Sequence, residues 1–354
     1  GPGDEEPPDD APPPPVTILA GNVYGFKLPP SRTLEPHEEE VARVGAAYAS
    51  VYNAPPFGNQ TSFMEITSEG GLFTFQSIGR PIYTSVYAVY GIKNTLTDEF
   101  EPLLFGYARG ISVPLGEKKL DVQIILDTRL DYEVPVTIEN PPWGARNSVM
   151  VTAFLDLGAD GVIPLGEAFN DRAPDEALLT HLPWVSGESV VFQALGHTQD
   201  SFPYSISFRR QGGDLSQGVT IGPLLGPVTI TEPFLFPTEG ASIGFFDGVF
   251  EWEIEPSPEE PDVITIAVLE PGNSLLGTPP IPQWHAVLPG NERRVVLPDA
   301  VRDALRAKYG GQTALMVQFA TGSQPKFDFP EWNYVNTGLG NFNSFTYHVF
   351  GIVP

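Results

Sequence analysis

The sequence predicts an all-β protein built from tandem β-sandwich domains, with one short helix in the C-terminal domain. Three observations predict it. The chain carries 36 Gly and 38 Pro, the composition of many short strands joined by turns. It carries 23 Phe, which suit pleated, half-buried surfaces. Its apolar residues alternate with polar ones at a period of two rather than at helical spacing.

The elements follow in order. "VTILAGNVYGF" (16–26) is a β-branched run closed by Gly. Residues 36–50 are expected to run from a loop into a strand, because Gly45 and the alternation after it oppose a helix. Between 61 and 92, two alternating runs flank Ser68-Glu69-Gly70-Gly71, which is expected to close a hairpin. Residues 119–140 supply two strands with a junction near Asp131, and 147–157, 189–196 and 203–210 supply one each. After Pro227 the same pattern returns. In "FEWEIE", Phe250, Trp252 and Ile254 point one way and Glu251, Glu253 and Glu255 the other, as in a strand with one wet face. "LPDAVRDALRAKYGG" (297–311) spaces Ala300, Val301, Ala304 and Leu305 as a helix, started by Pro298-Asp299 and stopped by Gly310.

A length of 354 residues admits two or three domains of about 100–200 residues each. The expected division is a tether (1–15), a first sandwich (16–130), a second (131–226) and a third (227–354). The tether "GDEEPPDDAPPPP" is acidic and proline-rich, a composition that stays extended and disordered. Gly1-Pro2 before it resembles the remnant of a cleaved tag.

Residues 16–92 resemble the carboxypeptidase-regulatory-like domain, a transthyretin-like β-sandwich of bacterial surface proteins. The resemblance rests on Gly21-Asn22-Val23, on Gly45-Ala46 through Val51, on Ser68-Glu69-Gly70-Gly71-Leu72-Phe73-Thr74-Phe75, and on the run Tyr83–Val89. Residues 228–354 are similar to a fibronectin-type-III-like, immunoglobulin-like sandwich, through Phe250-x-Trp252, Trp284, the 297–310 helix and the terminal strand "FTYHVFGIVP". Residues 131–226 belong to no assigned family. The acidic tether resembles those that follow the lipidated cysteine of bacterial surface lipoproteins. The resemblance therefore implies an extracytoplasmic protein, at the cell surface or outer membrane, touching the membrane only through a removed N-terminal lipid anchor. Neither family carries catalytic residues.

Composition narrows the function. The net charge is −25, with only 19 Lys and Arg, so the chain repels phosphate backbones and nucleic acid is excluded as a partner. The absence of cysteine excludes disulfides, thiolate metal sites and a cysteine nucleophile.

One stretch has metal-ligand spacing. In "FLDLGADGVIPLGEAFND" (154–171), Asp156, Asp160, Gly161, Val162 and Glu167 fall at positions 1, 5, 6, 7 and 12 of a calcium loop. Asp156, Asp160, the Val162 carbonyl and Glu167 are the expected ligands of a structural calcium ion; the alternative is a polar turn whose Gly161 supplies a positive φ. Gly158 replaces the acid usual at position 3, and the loop leaves a strand rather than a helix. The histidines 37, 181, 197, 285 and 348 show no metal-binding pair. Trp143, Trp184, Trp284 and Trp332 lie in Pro- and Gly-rich contexts, where aromatic platforms bind glycans or proteins. The expected function is non-enzymatic: binding, adhesion or scaffolding at a surface, with a protein or glycan partner. The alternatives are a carbohydrate-binding module and a hydrolase using carboxylates of the middle segment.

Overall fold

A computed structural model describes residues 13–51, 54, 63–139, 148–170, 176–197, 204–212, 215–238, 241–272, 280–310, 314–324, 327–331 and 342–354. Among the described residues the fold is all-β, with several sheets and one short α-helix. Two compact units group the chain. The first holds residues 1–132, 154–166 and 180–189, and the second holds 133–153, 167–179 and 190–354. The stretch 131–226 thus contributes to both. Most of the acidic tether lies outside the described residues.

The first unit is a sandwich. Its strands are β1 (Val16–Tyr24), β2 (Glu38–Ala46), β3 (Met64–Ile66), β4 (Leu72–Ile78), β5 (Ile82–Asn94), β6 (Phe100–Val113), β7 (Lys118–Ile125) and β8 (Thr128–Arg129). They form a three-stranded sheet ordered β4-β1-β7 and a five-stranded sheet ordered β3-β2-β5-β6-β8. Alternation places Leu19, Val23, Phe73, Val122 and Ile124 of the small sheet against Val44, Val86, Ala88, Tyr90 and Ile111 of the large one. Gly21 is required: a Cβ there would meet the Val122 carbonyl oxygen at 1.9 Å. The turn at Ser68–Gly71 exists, with Gly70 at φ 70°. It does not close a hairpin, however. β3 pairs with β2 and β4 pairs with β1, so the turn carries the chain from one sheet to the other. Its Glu69 carboxylate instead accepts the Gly25 and Phe26 N–H groups at 2.9 and 2.7 Å.

The remaining strands are β9 (Tyr132–Ile138), β10 (Ser148–Asp156), β11 (Val162–Asn170), β12 (Glu176–Leu182), β13 (Ser189–His197), β14 (Tyr204–Gln211), β15 (Val219–Ile221), β16 (Val228–Glu232), β17 (Leu235–Thr238), β18 (Ala241–Phe245) and β19 (Val249–Ile254). They continue with β20 (Val263–Glu270), β21 (Ile281–Pro289), β22 (Arg294–Val296), the helix α1 (Asp299–Tyr309), β23 (Leu315–Ser323) and β24 (Ser344–Val353). In the second unit, Val228, Ile230, Phe250 and Trp252 of the sheet β16-β19-β22 pack on Ile264, Ile266, Val317, Phe319 and Phe350 of a ten-stranded sheet. Leu305 and Tyr309, one helical turn apart on α1, add to this core, and Gly310 ends the helix in the left-handed conformation. Phe250 and Trp252 are buried, and Glu251 pairs outward with Arg294 at 2.6 Å, as the alternation predicts.

Buried and half-buried hydroxyls complete this unit. The connection from Gly222 to Pro227 lies outside any strand, so its carbonyls need partners. Ser205 donates to the Leu225 carbonyl at 2.6 Å, Ser344 to Pro223 at 3.0 Å, Thr346 to Gly226 at 3.2 Å and Ser257 to Leu224 at 2.8 Å.

Candidate functional site

The 154–171 stretch forms a strand, a tight turn and a second strand. β10 ends at Asp156, a single 3₁₀ turn spans Gly158–Asp160, and β11 begins at Val162. Asp156 Oδ1 accepts the Gly158 N–H at 2.8 Å, a local turn contact. Gly161 sits at φ 101°, where a Cβ would meet the Tyr48 carbonyl oxygen at 2.6 Å. The Val162 carbonyl accepts the Tyr48 N–H at 2.9 Å, and the Val162 N–H returns a bond to Tyr48 O at 2.8 Å.

Asp160 belongs to an ion-pair cluster of the first unit. Arg109 of β6 places Nε 2.5 Å from Asp160 Oδ2 and Nη1 2.6 Å from Glu188 Oε1, and its Nη2 donates to the Leu157 carbonyl at 2.7 Å. Tyr83 donates to Asp160 Oδ1 at 2.6 Å, and Ser85 donates to the Asp160 carbonyl at 2.9 Å. The Tyr83 hydroxyl and then the Arg109 guanidinium hold the Asp160 carboxyl below the usual aspartate range. The same hydrogen bond raises the Tyr83 phenol.

This arrangement engages two of the four expected calcium ligands with protein donors. Asp160 and the Val162 carbonyl are committed to protein donors, and Glu167 is exposed on β11. Among the described residues, no group of three or more His, Asp or Glu side chains gathers as a metal site. The loop is an anchored hairpin tip, the geometry of the polar-turn alternative. Sequence spacing carried no sign of Arg109, which approaches from a strand about fifty residues away.

The tryptophans separate. Trp184 is 38% exposed and stacks on Tyr132, with ring centroids 5.6 Å apart. Trp284 packs against the core of the second unit, its ring stacked over Phe250 at 6.4 Å. Trp143 and Trp332 lie outside the described residues. Burial pushes His348 down to about 4, so it is neutral at physiological pH.

The sequence reading passed over a different aromatic group. "PFLFP" (233–237) opens the β17–β18 hairpin, in which Phe236 faces Ile243 and Leu235 faces Gly244. Leu235 turns inward to the core, which leaves Phe234, Phe236, Ile243 and Phe245 on the opposite face. Phe234, Phe236 and Phe245 are 66%, 50% and 76% exposed. Their rings meet edge to face, at 4.9 Å for Phe234–Phe236 and 6.3 Å for Phe236–Phe245. The exposed acids Glu232 and Asp247 flank the segment. The alternation F-L-F between prolines was its signal, one shared with any ordinary amphipathic strand.

The first unit also holds an apolar cleft of about 780 Å³, floored by Phe26, Leu28, Leu103, Leu104, Leu126 and Leu130. No protein-family model matches this chain, and neither does any curated protein.

Proposed function

We propose that this is a non-enzymatic, extracytoplasmic surface protein that works by holding a protein partner on the aromatic face of the β17–β18 hairpin. The observation that carries the reading is the exposed Phe234–Phe236–Phe245 cluster. Exposed apolar patches of this kind are costly to leave in water and mark contact surfaces. Covering the rest of each ring contributes about 2–3 kcal/mol.

Charge selects the occupant. A second copy brings the same net charge of −25 and is repelled. An anionic lipid surface is repelled likewise. A neutral bilayer would have to desolvate Glu232 and Asp247 beside the rings. A protein presenting apolar side chains within a basic rim meets neither obstacle. Pro237 has no N–H to donate from the β17 edge, so the partner covers the face rather than extending the sheet. The surface location rests on the acidic, proline-rich tether and on the resemblance of residues 16–92 to sandwiches of bacterial surface proteins.

A photoreactive phenylalanine analogue at position 236, in cells producing the full chain, tests the reading. One foreign protein recovered as an adduct is the expected result. Adducts to lipid, to another copy or to nothing would contradict it.

A second reading has its own observation. The Tyr132–Trp184 stack offers an exposed ring face of the kind that sugars bind. Retention on a glycan array, lost in Trp184→Ala, would favour it.

A further inference from the structure

The cleft of the first unit has a built apolar floor. The Leu130 N–H donates to the Leu103 carbonyl at 3.0 Å, and the Leu126 N–H donates to the Tyr24 carbonyl at 2.8 Å. The Glu69 carboxylate pins the backbone of Gly25 and Phe26, and the Phe26 ring rests 4.8 Å from Tyr90. The walls are therefore fixed before any ligand arrives, which lowers the entropy cost of binding. A volume of about 780 Å³ lies inside the range of small-ligand sites, roughly 300–1,000 Å³.

The polar lining carries both signs of charge. Lys27, Arg129, Asp127, Asp131 and His181 all line the cleft, and all are exposed. In the same unit, Arg32, Arg43, Lys93 and Arg109 are each paired with a carboxylate, while the exposed Arg80 and Lys118 lie away from the cleft. Among the described residues, Lys27 and Arg129 make no such pair with any acid, the cleft's own aspartates included. Asp127 takes only the Thr128 hydroxyl, at 3.1 Å. His181 reaches the cleft from a left-handed backbone, φ 59°, a conformation costly for a non-glycine residue and concentrated at functional sites.

Two unpaired cations and two carboxylates around one apolar floor complement a ligand that carries both signs and an apolar body. A simple fatty acid leaves the aspartates unanswered, and an alkylamine leaves Lys27 and Arg129. We infer that the cleft binds a short apolar peptide with both termini free. Its carboxylate lies toward Lys27 and Arg129, its ammonium toward Asp127 and Asp131, and its side chains on Phe26 and the leucines. The volume suits about three or four residues.

Calorimetry of the full chain with leucyl-phenylalanyl-leucine at neutral pH tests this. We expect saturable binding, weakened roughly tenfold by N-acetylation and roughly tenfold by C-amidation, because each cap removes a charge-assisted contact. In Lys27→Ala/Arg129→Ala, amidation should lose its effect while acetylation keeps it. In Asp127→Asn/Asp131→Asn the pattern should reverse. The four side chains are exposed, and matched melting curves show whether each variant is folded. Absence of binding to the tripeptide, equal binding of the capped peptides, or dodecanoate binding as tightly as the peptide would each overturn the inference.

Discussion

Asp160 shows how one side chain changes role once its neighbours are known. Its folded pKa is held below the ordinary aspartate value by Tyr83 and Arg109. The sign follows: its contribution to stability is full above the unfolded value of about 3.9, and is lost as pH falls through the depressed one. Asp160→Ala should therefore lower the melting temperature at neutral pH, and the gap to the unaltered protein should close in acid. Calcium at about 1 mM, the range of extracellular modules, should leave that gap unchanged; a gap that widens in calcium would restore the metal reading. Ser205 makes the complementary case in a buried setting. It is fully buried and serves both the Leu225 carbonyl and the Thr346 hydroxyl. Ser205→Ala should destabilise the protein by about 1–3 kcal/mol, the cost of leaving buried polar groups unsatisfied. Denaturant unfolding would measure it.

Individual elements were legible where one strand or helix decides its own pattern. The alternation of Phe250, Trp252 and the intervening glutamates identified β19 and its inward face, and Pro298 and Gly310 bounded α1. Partners were not legible. Ser68–Gly71 has turn chemistry whether it joins paired strands or two sheets, because turn residues record local φ rather than what the flanking strands bond to. The calcium spacing is ambiguous for a related reason: glycine at position 6 and acids before it also suit a hairpin tip docked by Arg109, Tyr83 and Tyr48. The two glycines of that tip separate the explanations. At Gly161 a Cβ meets the Tyr48 carbonyl, whereas at Gly158 nothing lies within 4 Å. Both have positive φ, so each alanine costs about 1 kcal/mol in backbone strain. Gly161→Ala should cost distinctly more, as the Tyr48–Val162 bridge is forced apart. Equal costs in denaturant melts would mean that the bridge contributes little.

At the scale of the whole molecule, two properties were available from composition and one was not. The net charge of −25 rules on partners without any coordinates, disfavouring nucleic acid, anionic lipid and self-association. The all-β architecture followed from turn-forming residues and period-two runs. Which aromatics reach solvent depended on three-dimensional packing. Trp284, expected as a surface platform, packs against a core, while Phe234 and Phe245, which no motif singles out, stand in water. The proposed function hangs on those rings, and one measurement reaches it most directly: adduct formation from the photoreactive residue at position 236 in a Phe234→Ser/Phe245→Ser background. Exposed rings add little to folding, so the melting temperature should hold. Loss of hot-spot aromatics, about 2 kcal/mol or roughly thirtyfold in affinity each, should abolish the adduct. An adduct that persists at full yield in the folded variant would contradict the account.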